Sequence, residues 1–354
     1  MYATAEPRSL AVRLLVVGVV SLLVTACSGG AETSSAAPAS AEPPASPTTA
    51  ADPSASASVR PSPSSPAATT SPVASSSTAA LPIHHVFDLA YARAVLPAAT
   101  GGVIPGTEIL LDVYAPDAAG PWPVVVWAPG GEETKEVGQA FGEAMASSGA
   151  VVFVVNTAHG LDPAVPPLGL ASRALVEGAA CAVRTARALA PTYGGDPARV
   201  VWSGHSLGGV FGFELALAAP DWERMWTEHV SAVGGPDPTL DCQTDTGSSA
   251  IDAIVTASSG RFIEVWPTVY DADPSVRAFT DSVSHVGNNP SLKVRLVHGD
   301  SDPELPVATA QALQRELAAA GYDATLDIVP LASHALFVPQ LVERILGVVR
   351  APGW

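Results

Sequence analysis

An open, mainly parallel β-sheet with helices on both faces is the architecture this sequence predicts. Short β-branched apolar runs alternate with longer amphipathic stretches, the pattern of a doubly wound α/β domain. The run Val151 to Val155 is apolar throughout, as a strand covered on both faces must be. The region carrying this alternation, from about Leu81 to Trp354, is long enough for one large domain with a well-buried core.

The elements follow in order. Ile109 to Tyr114 and Pro123 to Trp127 read as neighbouring strands joined through Pro116 to Pro121. After the Val151 strand, Ala171 to Ala190 places Leu175, Ala179, Ala182, Val183, Ala186 and Leu189 on one helical face. Charges at Arg173, Glu177, Arg184 and Arg187 fall mostly between them, and Gly194-Gly195 stops the helix. A strand at Val200 to Ser203, a helix from Ser206 to about Ala219 and a strand near Val230 to Val233 come next. Later elements are a strand at Val294 to Val297, a helix from Pro303 to Ala320, a strand at Thr325 to Val329 and a helix from Ala335 to Val349. Asp237 to Asn289 breaks the rhythm with Ser, Asp, Gly and Pro, and reads either as a cap beside the site or as long loops.

Ahead of this body, Arg8 and Arg13 precede an apolar run, Leu14 to Ala26, that is shorter than the about 20 residues of a membrane-spanning helix. A basic start, a short apolar centre and small residues before a cut site describe a secretory signal. Its close on Val24-Thr25-Ala26-Cys27 resembles a bacterial lipoprotein signal, which implies lipidation of Cys27 and anchorage on the outer face of the cell membrane. An ordinary signal peptide ending at a cysteine is the alternative. Residues 28–80 are almost wholly Ser, Ala, Pro and Thr and cannot bury enough surface to offset chain entropy, so they read as an extended tether.

The chain carries a formal net charge of −17, almost all of it on the body. Without a Lys/Arg cluster, such a body is unsuited to nucleic acid or to anionic lipid, leaving membrane attachment to the Cys27 lipid. Cys181 and Cys242 remain as a disulfide candidate in an exported chain, with two buried thiols as the alternative.

Gly204-His205-Ser206-Leu207-Gly208 is the motif that carries chemistry. Val200 to Ser203 precedes it as a strand, and Val210 to Leu215 follows as a helix. A strand-turn-helix of this kind exposes a serine hydroxyl at a sharp turn, and the helix N-terminus beneath it offers free N–H groups to a developing oxyanion. Ser206 is therefore the expected nucleophile, with the Leu207 N–H as one oxyanion donor. His205 is its chain neighbour, but adjacent side chains on a strand end point to opposite faces, so it reads as a packed histidine. The acid and base are expected later in the chain, in that order. His298-Gly299-Asp300-Ser301-Asp302-Pro303 puts carboxylates at the end of a strand, with Asp302 favoured over Asp300 although Asp before Pro303 also suits a helix cap. His334 lies in a loop after the following strand and is the expected base.

Taken together, Leu111 to Pro116, Val124 to Gly131, Tyr193 to Pro197, Gly204 to Gly209 and His298 through Asp302 make the chain resemble the α/β-hydrolases, and their small-esterase branch in particular. The resemblance implies a metal-free, cofactor-free hydrolase acting on small-molecule carboxylic esters. One departure is local: the branch has His-Gly-Gly after its third strand, where this chain has Pro129-Gly130-Gly131-Glu132. Gly130 or Gly131 is the expected second oxyanion donor. A secreted peptidase with the same three residues, and a non-catalytic lipoprotein using the fold for binding, are the rival readings.

Overall fold

The computed structural model describes residues 80–95, 106–131, 133–157, 170–218, 222, 224, 225, 227, 228, 240–261, 281–352 and 354. The Cys27 signal, nearly all of the tether, the strand expected at Val230 to Val233 and residues 262–280 lie outside them.

Nine strands form one sheet: β1 (Ile83–Ala94), β2 (Glu108–Pro116), β3 (Trp122–Ala128), β4 (Val151–Val155), β5 (Gly195–His205), β6 (Leu240–Cys242), β7 (Ala253–Ala257), β8 (Lys293–Gly299) and β9 (Asp323–Val329). Their spatial order is β6-β1-β2-β4-β3-β5-β7-β8-β9. β4, β3, β5, β7, β8 and β9 run parallel, while β2, β1 and β6 continue the sheet antiparallel. Helices cover both faces of the central strands, so β4 and β7 are buried along their whole length and β4 is apolar at every position.

The helices are α1 (Gln139–Ser147), α2 (Leu170–Leu189), α3 (Leu207–Ala218), α4 (Val307–Ala319) and α5 (Val338–Val349). One core packs residues of α2, α3 and α4 against Phe153 and Trp202; the other packs α1 and α5 against Trp127, Val152 and Val297. All 12 residues of α3 are buried, so it is apolar around nearly its whole circumference, as a helix enclosed by its neighbours must be. Among the described residues no helix is long and apolar enough to cross a membrane.

Three expectations are corrected. β2 and β3 are consecutive in the chain but not neighbours: β4 inserts between them, pairing antiparallel with β2 and parallel with β3. The stretch 237–289 is not solely a cap or loops, because it carries the edge strand β6 and the central strand β7. Thr256 within β7 and polar neighbours on both sides of it hide this five-residue strand from a periodicity reading. The helix expected from Pro303 starts at Val307, because residues 302–305 are held in a separate turn by Asp302. A disulfide joins Cys181 in α2 to Cys242 in β6, tying a three-residue edge strand to the body.

Candidate active site

The residues singled out from the sequence gather at the carboxyl ends of the parallel strands, where open α/β sheets present their functional groups. β5 ends at His205, and the chain turns through Ser206 into α3. Ser206 has φ 49°, a left-handed conformation uncommon for a residue with a side chain. It persists because its backbone is held on both sides. Its N–H donates to Ala257 O at 2.9 Å, and its carbonyl accepts from Gly209 and Val210 at 3.0 and 3.2 Å. A Cβ on Gly208 would stand 2.3 Å from Ala128 O and 2.4 Å from Pro129 O, so only glycine lets the loop after β3 approach the turn. The Leu207 N–H opens α3 and has no acceptor within the helix.

Asp302 and His334 are brought into direct contact. His334 Nδ1 lies 2.8 Å from Asp302 Oδ2, with the His334 side chain 9% and the Asp302 side chain 0% exposed. The carboxylate can only accept, so Nδ1 carries the proton and Nε2 is the basic nitrogen. The two roles weighed for Asp302 coexist on different oxygens: Oδ1 accepts from the Glu304 and Leu305 N–H groups, both at 2.9 Å, while Oδ2 faces the imidazole. Burial alone would raise its pKa, but the Leu305 N–H, the His334 imidazole and the Glu304 N–H hold it below the usual carboxylate range. Asp300 instead accepts from the Leu331 N–H at 2.7 Å and from the Ser301 hydroxyl. A Cβ on Gly299 would meet Ala332 O at 2.3 Å, so this glycine lets the His334 loop cross the end of β8. Ser206 and His334 are not joined by a hydrogen bond; the His334 ring lies 4.9 Å from that of His205, the residue preceding the serine. Such junctions often tighten only around substrate.

Of the two expected oxyanion glycines, Gly130 is buried and its N–H donates to Glu133 Oε2 at 2.7 Å. In this structure that donor is already engaged. Gly131 is exposed, and a Cβ built on it would lie 3.7 Å from Leu207 Cδ2, so it stands against the Leu207 side chain.

Four residues not singled out position these groups. Glu133 Oε2 also lies 3.1 Å from His205 Nδ1. Burial pushes the His205 pKa below the ordinary imidazole value, against the pull of Glu133, so the neutral ring donates its Nδ1 proton to the carboxylate. His298, fully buried, places Nε2 2.8 Å from Leu305 O and 3.2 Å from Asp302 Oδ2. Ser258 donates its hydroxyl to Ala335 O at 3.0 Å and accepts the Ala335 N–H at 3.2 Å, fixing the loop next to His334. Lys135, 5% exposed in its side chain, sits 2.8 Å from Asp112 and 2.9 Å from Asp88, fastening the segment after the glycines to β2. The Ile254-Val255-Thr256 run before Ser258, and the burial of one of only two lysines, are signals that topology alone makes readable. No group of three or more His, Cys, Asp or Glu is arranged as metal ligands among the described residues.

No family profile and no curated protein matches the sequence. Solved structures share its architecture. An inhibited esterase B from Lactobacillus rhamnosis superposes with a TM-score of 0.56 at 15% identity, over 77% of this chain and 88% of that one. A butyrate-bound esterase of Thermogutta terrifontis gives 0.53 at 18% identity, over 73% and 98%. A bifunctional GH43-CE protein of Bacteroides eggerthii gives 0.54 at 20% identity over 76% of this chain, which spans only 38% of that protein's length. At these identities the likeness is one of fold: the chain has the α/β-hydrolase fold.

Proposed function

We propose that this chain is a serine hydrolase that cleaves small-molecule carboxylic esters through an acyl-enzyme on Ser206. One observation carries the reading: a buried Asp302 aligns the His334 imidazole at 2.8 Å, at the same carboxyl end of the parallel strands as a serine held at φ 49°. Neither feature is needed for a binding scaffold, and a strained serine backbone calls for a reason. Esterases among the solved structures of this fold, one of them phosphoramylated by tabun, support the same reading.

The chemistry follows from the residues. Ser206 Oγ attacks the ester carbonyl carbon as His334 Nε2 takes its proton. The carbonyl oxygen becomes an oxyanion beside the Leu207 N–H and the glycine loop, at the positive end of α3. The carbon–oxygen bond then breaks, and the alcohol departs with the proton from His334. Water adds to the acyl-enzyme by the same route in reverse order of partners, releasing the acid and restoring Ser206. Asp302 keeps the proton on His334 Nδ1 throughout and stabilises the imidazolium. We place this activity outside the cell, on a chain anchored through a lipidated Cys27 and spaced from the membrane by residues 28–80.

Turnover of short-chain nitrophenyl esters by the wild type and by Ser206→Ala tests the reading, with nitroanilide amides alongside. Ester cleavage lost in the variant supports it. Cleavage of the amides in preference to the esters moves the chain to a peptidase role, and no Ser206-dependent turnover of either contradicts the reading.

A further inference from the structure

We infer that Glu133 is a positioning residue that fixes the oxyanion site, leaving Gly131 and Leu207 as its backbone donors; this rests on the ester-hydrolase reading above. Pro129 offers no polar side-chain group before the glycines, and Glu133 supplies one after them. Its Oε2 accepts two hydrogen bonds that reach different elements: from Gly130 N–H at 2.7 Å, in the loop after β3, and from His205 Nδ1 at 3.1 Å, at the end of β5.

One carboxylate oxygen thus ties the glycine loop to the residue directly before Ser206. The tie is close to the reacting centre: a Cβ on Gly130 would lie 2.7 Å from Glu133 Oε2 and 3.2 Å from the Ser206 Cβ. Charge-assisted hydrogen bonds of this kind are stronger and more directional than neutral ones. With Gly130 N–H and His205 held, the next peptide, whose N–H belongs to the exposed Gly131, is set beside Leu207. The loop is held from its far side as well, since Lys135 N–H donates to Asn156 Oδ1 at 2.7 Å and its Nζ pairs with Asp112. Glu133 is the tie nearest the serine. It does not touch substrate; it sets where the donors point, and such pre-organisation acts on the transition state rather than on binding.

The test is steady-state ester hydrolysis and fluorophosphonate labelling by the full chain, as wild type, Glu133→Ala and Glu133→Gln. Glu133→Ala is expected to lower kcat by about 10-fold or more with KM changed less than about twofold, the signature of an interaction realised in the transition state. The labelling rate should fall by a similar factor, because the phosphonyl oxygen uses the same donors. Glu133→Gln keeps an acceptor oxygen for the Gly130 N–H and should restore most of the rate, which a merely structural loss would not predict. If Glu133→Ala is as fast as wild type, the carboxylate is a bystander. If it is faster, Glu133 occupies a place that substrate must take. Either result overturns the inference while leaving Ser206-dependent hydrolysis intact. A wild type that neither hydrolyses esters nor takes the label overturns the ester-hydrolase reading itself, and this inference with it.

Discussion

Asp302 shows how one buried side chain serves two neighbours without conflict. Oδ1 caps a turn and Oδ2 orients an imidazole, so replacement by Asn keeps the shape and loses the charge. The amide nitrogen cannot accept from His334 Nδ1–H, so the wrong tautomer is favoured. Asp302→Asn is expected to cut kcat on the order of 1,000-fold or more, with a near-normal fold by circular dichroism. Gly208→Ala is a different lesion: its Cβ would meet backbone oxygens at 2.3 and 2.4 Å, which no rotamer change relieves. It should destabilise by about 1–3 kcal/mol in urea unfolding and cost more in ester turnover, because the loop after β3 must retreat from Ser206. Chain order and strand context single out Ser206, Asp302 and His334 at this scale, and the structure pairs the last two. They do not single out Glu133 or His298. Their roles depend on which strand ends are neighbours, and no local spacing encodes that.

The segment after β3 is anchored by ions and the edge strand β6 by a covalent bond. Lys135 is buried against Asp112, with burial opposing its charge and the Asp112, Asp88 and Glu136 carboxylates raising its pKa nonetheless. Lys135→Met would leave Asp112 buried with, among the described residues, only the Asp88 N–H donating to its side chain, at a cost of about 3–5 kcal/mol by denaturant unfolding. Pairing it with Asp112→Leu should recover most of that loss, since the penalty is an unpaired charge. The Cys181–Cys242 bridge spans 61 residues of sequence, and its reduction should lower stability by about 4 kcal/mol on chain-entropy grounds, read as a fall in Tm after reductant. Most of the parallel strands were readable, because a run such as Val151–Val155 is apolar at every position. β7 was hidden by its polar flanks, and β1 by the exposed His84, His85 and Asp88 among its half-buried positions. The interposition of β4 between β2 and β3 is a long-range pairing, invisible to any local pattern.

Across the whole molecule, buried titratable groups set the pH range in which the fold is stable. Glu214, 1% exposed in the middle of α3, has its pKa raised well above the ordinary value by burial and by Asp281, against the Ser282 N–H and Arg261, with His285 Nε2 at 4.0 Å. The unfolded chain releases this proton near pH ~4.3 while the folded chain retains it, so the folded state binds more protons above that point. Stability contributed by Glu214 therefore falls as pH rises from about 4, and levels off above the raised pKa. His205 and Asp302 act oppositely, since both pKa values are lowered by folding: they withdraw stability as pH falls below ~6.5 and ~3.9 respectively. Glu214→Gln should raise Tm at pH 7.5 and leave it nearly unchanged at pH 4; an equal shift at both would contradict the assignment. The central claim concerns a single oxygen atom, and active-site labelling with a fluorophosphonate reads it directly. Wild type should take up one label per chain at Ser206, and Ser206→Ala none; an unlabelled wild type, or a variant labelled as readily, would contradict the account.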